Sequence, residues 1–157
     1  MLNSWLHLVA LVVYLGAVLG FSLVLLPAIS PLENREDRAR LLARALKFYN
    51  PLQVGALGIL LFSGAFQLTE LKAAYRETFV QELGVALAVK LSLAFLVVLF
   101  SVYQAMGVGH RFVKRYEGGE PVSEQDFELV RRRLTRANWL IVPLAVMTAW
   151  YGLRLRG

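Results

Sequence analysis

Four stretches of the chain are rich in apolar residues and nearly free of charge: residues 5–29, 51–69, 84–108 and 138–153. The first three approach or exceed the roughly 20 residues that an α-helix needs to cross a hydrocarbon core about 30 Å thick. The fourth is shorter, but aromatic rings that favour the membrane–water interface lie near its ends, namely Trp139, Trp150 and Tyr151. The pattern therefore predicts an all-α, multi-pass membrane protein built as a bundle of four transmembrane helices.

The composition agrees with a single membrane domain over residues 1–157. Hydrophobic residues make up 57% of the chain and the mean hydropathy is +0.55, which is too apolar for an ordinary soluble domain. The first stretch is too long for the apolar part of a signal peptide and follows no basic segment, so we expect it to be retained. The chain has no cysteine, which excludes disulfides and thiolate metal sites.

Basic residues are concentrated after the first and third apolar stretches, which lie on one side of the membrane if each stretch crosses once. Five follow the first stretch and seven follow the third: Arg35, Arg38, Arg40, Arg44, Lys47, Arg111, Lys114, Arg115, Arg131, Arg132, Arg133 and Arg136. The other side has only Lys72, Arg76, Arg154 and Arg156. The positive-inside rule then predicts a protein of the inner or plasma membrane with both termini outside.

This placement also explains the net charge of +6. We expect the basic segments to attract anionic lipids at the cytoplasmic face, at about 1 kcal/mol per basic residue. No basic patch with interleaved aromatic residues accompanies the charge, so we expect no binding to nucleic acid.

Capping signals predict additional helix starts between the apolar stretches. Ser30 is a typical helix cap, Pro31 suits the first helical position, and Glu33 completes a capping box with Ser30. Together they predict a short amphipathic cytoplasmic helix between spans 1 and 2. Its apolar face would lie on the membrane surface. Asn50 and Pro51 repeat the signal and predict the start of the second span. Further on, Ser123 is expected to cap a helix that continues into the fourth span.

Gly16 and Gly20 form a pair of small residues four positions apart in the first stretch. Such pairs let two helices approach closely in lipid. We expect the pair to serve helix packing within the chain, with a homo-oligomer or a larger membrane complex as the alternative.

Two ionisable residues at membrane depth could carry chemistry, because such residues are costly in lipid. His7 lies two residues into the first span and Lys90 about six residues into the third, so both belong to the outer part of the predicted bundle. The structural alternatives are a hydrogen-bonded interfacial histidine and a lysine whose stem snorkels to the interface. His110 lies at the opposite end of span three, so His7 and His110 of one chain could not ligate one haem.

The remaining polar residues favour structure over catalysis. Gln53, Gln104 and Asn138 form a polar cluster towards the cytoplasmic side, and we expect interhelical hydrogen bonds among them. Copper binding would need soft ligands at close spacing, whereas Met106 and Met147 are isolated.

Several of these residues together resemble the copper-resistance protein D superfamily, which includes the HemJ-type membrane protoporphyrinogen oxidases. In the first stretch His7 is followed by Tyr14, by Gly16 and Gly20, and by Leu-Leu-Pro27, which is similar to that family's first helix. The segments Val89-Lys90-Leu91 and Arg136-Ala-Asn138 resemble its third and fourth helices.

The resemblance implies a haem b or porphyrin site at the outer end of the bundle, with His7 as a metal ligand and Lys90 as its partner. The chain departs from the oxidases where Tyr103 is followed by Gln104, so whether it is a haem- or porphyrin-linked oxidoreductase stays open. Two other hypotheses remain: a copper-handling membrane protein, and a non-catalytic accessory or assembly subunit.

Overall fold

The computed structural model describes residues 2–75 and 79–154, with side chains for 2–74 and 83–153. It consists of helix α1 (Leu2–Ile29), helix α2 (Arg35–Tyr75), helix α3 (79–117) and helix α4 (Glu124–Arg154). No strand occurs among these residues, so the all-α prediction is confirmed. By length and composition, α1, α2 and α3 could each cross a membrane. Arg76 and Arg156, which belong to the predicted outer charge set, lie outside the described residues, as does the Arg154 side chain.

Helix α1 contains a widened π-helical turn at Phe21–Leu25. Pro27 follows two residues later, in the last α-helical turn, which begins at Leu26. Proline lacks an N–H group and its ring crowds the carbonyl four residues earlier, and a π turn relieves both problems. The Ser30 hydroxyl donates to the Leu26 carbonyl at 2.9 Å, at the end of this helix.

Helix α2 corrects the prediction of a separate helix before the second span. The helix begins at Arg35 rather than at Pro31, and Asn34 caps it by accepting a hydrogen bond from the Glu36 N–H at 2.9 Å. It then runs without a break through Pro51 to Tyr75. The predicted amphipathic segment is therefore the first part of α2, and its buried face lies in the protein core: Ala39, Leu42, Ala43 and Leu46.

Helix α3 contains a longer π-helical segment at Tyr103–His110. The Ala105 carbonyl in this segment accepts a hydrogen bond from Asn50 Nδ2 of α2 at 3.2 Å, so a neighbouring helix satisfies part of the altered backbone. Helix α4 begins as predicted, because the Ser123 hydroxyl accepts from the Asp126 N–H at 3.0 Å.

The four helices form two pairs: α1 packs mainly along α2, and α3 packs mainly along α4. One buried cluster joins the pairs at the end where α2 and α4 begin, and it includes Phe21, Leu46, Phe112 and Leu134. A second cluster fills the middle of the bundle, around Val18, Leu57, Val97 and Ile141.

The basic segments after the first and third apolar stretches meet at the same end of the molecule. Arg38 near the start of α2 pairs with Glu124 at the start of α4, with 2.7 Å between Nη2 and Oε2. The Arg38 guanidinium also lies 5.3 Å from the centre of the Phe127 ring. Lys47 pairs with Glu117 at the end of α3. These contacts bring the starts of α2 and α4 and the end of α3 together.

Candidate functional site: a cavity between the helix pairs

A cavity of about 430 Å³ lies between the two helix pairs, where α1 begins and α4 ends. All four helices contribute to its wall, and the lining is mainly aliphatic. Its polar wall residues are few: Ser4, His7, Tyr14, Gln67, Lys90 and Thr148. We call it the terminal cavity. Ligand pockets typically measure about 300–1,000 Å³ and combine an apolar lining with a few placed polar groups, which describes this space.

The hydrogen bonds around His7 define its tautomer. His7 Nδ1 lies 2.8 Å from the hydroxyl of Ser63 on α2. The Ser63 hydroxyl lies 2.6 Å from the Ile59 carbonyl, so we assign its single hydrogen to that carbonyl. The Ser63 oxygen then accepts from His7 Nδ1–H, and in the neutral form of the ring this assignment places the lone pair on Nε2.

The imidazole lies beside Gly64 of α2. A Cβ atom on Gly64 would lie 3.5 Å from His7 Cε1, which is an ordinary van der Waals distance. The Asn3 amide adds a bond to the Ser63 carbonyl at 3.3 Å, one turn before His7. The first pair of helices therefore fixes both the position and the tautomer of the histidine.

Lys90 lines the same cavity from the second helix pair. A Cβ atom on Gly152 of α4 would lie 3.3 Å from Lys90 Nζ, so the amine lies against the α4 backbone. The structure thus brings His7 and Lys90, both singled out from the sequence, to one cavity. His110 is exposed and lies 20 residues beyond Lys90 along α3, or about 30 Å at 1.5 Å per residue.

Gln67 is a wall residue that the sequence analysis missed. It is only 7% exposed, and its amide nitrogen is buried without a hydrogen-bond partner among the described residues. Gln67 lies one helical turn beyond Ser63 on α2. Its spacing of four residues from Ser63 could have revealed it, because residues i and i+4 share a helix face.

Between the cavity and the basic end of the bundle, five polar residues from all four helices form a chain of hydrogen bonds in which each residue donates to the next. Gln53 Nε2 donates to Gln104 Oε1 at 3.4 Å, and Gln104 Nε2 donates to the Tyr49 hydroxyl at 3.0 Å. The Tyr49 hydroxyl donates to Asn138 Oδ1 at 3.5 Å. Asn138 Nδ2 then donates to the Ser22 hydroxyl at 2.5 Å.

Tyr14 lines the cavity and its hydroxyl also lies near Gln53 of this hydrogen-bond chain. The same hydroxyl lies 2.5 Å from that of Ser101 on α3. The Ser101 hydroxyl lies 2.6 Å from the Val97 carbonyl, so Tyr14 is assigned as the donor to Ser101. The sequence analysis used Tyr14 only for its aromatic ring and missed this polar contact.

The glycine pair of α1 has a different environment from the two cavity glycines. A Cβ atom on Gly16 or Gly20 would meet no atom within 4 Å. No other described helix therefore approaches α1 closely along the Cβ directions of these two residues, and their role in packing stays a prediction.

Among the described residues, no group of three or more histidine, aspartate or glutamate side chains could hold a metal ion. A metal at this site would therefore arrive within a larger ligand or be held by fewer protein groups. No protein-family model matches the chain, and no curated protein and no solved structure shows significant similarity to it.

Proposed function

We propose that the protein is a four-span membrane protein that binds haem b or a related porphyrin in the terminal cavity, with His7 as a metal ligand and Lys90 as its partner. One observation carries the proposal: the two residues line a single apolar cavity from different helix pairs. A haem bound there would supply one-electron redox chemistry at its iron.

The residues present suit such a group. A histidine that ligates a metal through one nitrogen normally donates the other N–H to a fixed acceptor, and His7 donates from Nδ1 to Ser63. The aliphatic wall would exclude water and cover the macrocycle. Ligation by Lys90 requires its neutral amine, and a protonated Lys90 would instead bind an acidic edge of the ligand.

The position of α4 supports four spans rather than three. Gly152 near the end of α4 contacts Lys90, so α4 runs beside α3 as far as the terminal cavity. We propose that both termini lie outside, and that the shared basic end, where Arg38 meets Glu124, faces the cytoplasm and anionic lipid.

A visible absorption spectrum tests the proposed ligand. The protein purified in mild detergent, or titrated with haem b, is expected to show a Soret band that His7→Ala shifts or abolishes and Lys90→Met shifts. His110→Ala is the matched control, because this histidine lies at the other end of α3, and its spectrum should equal that of the parent protein.

Other outcomes would favour the alternatives. A colourless protein that binds copper stoichiometrically would support copper handling, and a colourless, metal-free protein that co-purifies with other membrane subunits would support an accessory role. Loss of the band in His110→Ala alone would overturn the proposed site.

A further inference from the structure

We infer that the ligand of the terminal cavity carries a carboxylate at its edge, and that the amide nitrogen of Gln67 binds this group. The inference rests on the proposed porphyrin site and specifies the chemistry that the site recognises.

The Gln67 amide has an unmet hydrogen-bonding requirement. Its nitrogen is buried, and no acceptor satisfies it among the described residues. A buried donor left unsatisfied destabilises the fold, so such a group in a native structure calls for an explanation. Gln67 also lines the cavity, and its nitrogen is turned away from the open space, so a rotation of the amide would bring the nitrogen to an acceptor on a bound ligand.

The position of Gln67 fits one end of an amphipathic ligand. Gln67 lies four residues beyond Ser63, the partner of His7, which places it about 6 Å further towards the end of α2. The deeper wall is apolar and includes Leu57, Val97 and Ala145. A ligand with a flat apolar body would therefore bury that body near these residues and direct its polar edge towards Gln67.

The amide can reach the ligand without a change in the backbone. The terminal torsion of a glutamine side chain is broad and poorly constrained, so a rotation about it can turn the nitrogen towards the cavity. An amide N–H donates to a carboxylate in a charge-assisted hydrogen bond, which is stronger than a bond to a neutral acceptor.

Thr69 provides a control on the same helix, outside the cavity. It lies two residues beyond Gln67 but is not among the residues that line the terminal cavity, and its hydroxyl donates to the Phe66 carbonyl at 2.8 Å. Thr69→Val therefore removes a polar group that already has a hydrogen-bond partner, whereas Gln67→Leu removes an amide whose nitrogen has none among the described residues.

The test is a Soret titration of the full-length protein in detergent with two ligands, haem b and iron octaethylporphyrin, which has the same macrocycle without carboxylates. Gln67→Leu is expected to weaken haem b binding about tenfold and to leave iron octaethylporphyrin binding unchanged. Gln67→Glu should weaken haem b binding further, because it places a second carboxylate beside the first. Thr69→Val should change neither affinity.

The outcomes separate the two proposals. If the parent protein binds both porphyrins but Gln67→Leu affects both equally or neither, the carboxylate inference is overturned and the porphyrin site stands. If neither porphyrin gives a Soret band with the parent protein, the proposed function fails and the inference fails with it. Gln67→Glu keeps the test decisive if Gln67→Leu does not fold.

Discussion

A Cβ atom on Gly109 of α3 would lie 2.7 Å from Asn50 Nδ2 of α2. The same amide donates to the Ala105 carbonyl in the π-helical segment of α3. Helices α2 and α3 therefore approach each other closely where the backbone of α3 widens, and a side chain at position 109 would displace the Asn50 amide.

Gly109→Ala should accordingly destabilise the protein by about 1–3 kcal/mol, because the added methyl group would displace a short, hydrogen-bonded side chain. Gly16→Ala is the control, since a Cβ there meets nothing within 4 Å. It should be neutral or stabilising by up to about 1 kcal/mol through the better helix propensity of alanine. Thermal unfolding in detergent measures both variants, and an equal loss in the two would contradict the close approach at Gly109.

The bond between Tyr14 and Ser101 predicts unequal effects when either partner is removed. Tyr14→Phe removes the donor and should cost about 1 kcal/mol, a typical value for a hydrogen bond between transmembrane helices. Ser101→Ala should cost more, about 1–3 kcal/mol, because it leaves a buried tyrosine hydroxyl without this acceptor. Tyr103→Phe, at a half-exposed tyrosine, should change the free energy of unfolding little. The assignment of Tyr14 as donor would be wrong if Tyr14→Phe cost more than Ser101→Ala.

Asn34 and Ser30 both resemble helix caps in the sequence, but we expect their substitutions to affect stability differently. Asn34→Ala should destabilise the protein by about 1 kcal/mol, since it removes the acceptor of the Glu36 N–H. Ser30→Ala should have a smaller effect, because Ser30 caps no helix start and only bonds back to Leu26. Hydrogen exchange of the first turn of α2 checks this prediction directly, and faster exchange in Ser30→Ala than in Asn34→Ala would contradict it.

Glu128 near the start of α4 predicts a pH-dependent contribution to stability. Hydrogen bonds from Arg131 and Arg132 lower the pKa of its carboxyl from 4.5 to about 2. Because the folded state favours the ionised form, the stabilisation is complete above pH 4.5 and disappears as the pH falls towards 2. The effect is modest, because the side chain is one-third exposed.

Glu128→Gln should therefore lower the midpoint of thermal unfolding at pH 7 and have little effect near pH 2. The measurement is the difference in midpoint between the parent and Glu128→Gln across that range. A difference that grows as the pH falls would show that the carboxylate does not stabilise the folded state.

The all-helical class could be predicted because long apolar stretches with few charges are typical of helices that lie in lipid. The helix boundaries were harder to predict. Ser30-Pro31 and Asn50-Pro51 both carry the local signal of a helix start, yet Asn34 caps α2 and the helix continues through Pro51. Local capping preferences could not reveal that residues around Leu46 would be buried among the other helices.

The site was predictable only in part. His7 and Lys90 stand out in the sequence because ionisable residues are rare in apolar stretches. The role of Ser63 in orienting the imidazole and the unsatisfied amide of Gln67 depend on which residues face each other across helices. Serine and glutamine are unremarkable in a sequence, so only the packed structure distinguishes them from other polar residues.

One of the buried clusters that join the two helix pairs lies at the end away from the terminal cavity, and the other forms the deep wall of that cavity through residues such as Leu57 and Val97. The helix pairs are therefore held together by contacts between their own side chains, and the porphyrin of the proposed function would enter a bundle that is already folded. If that proposal holds, cells unable to synthesise porphyrin should accumulate the protein to normal abundance.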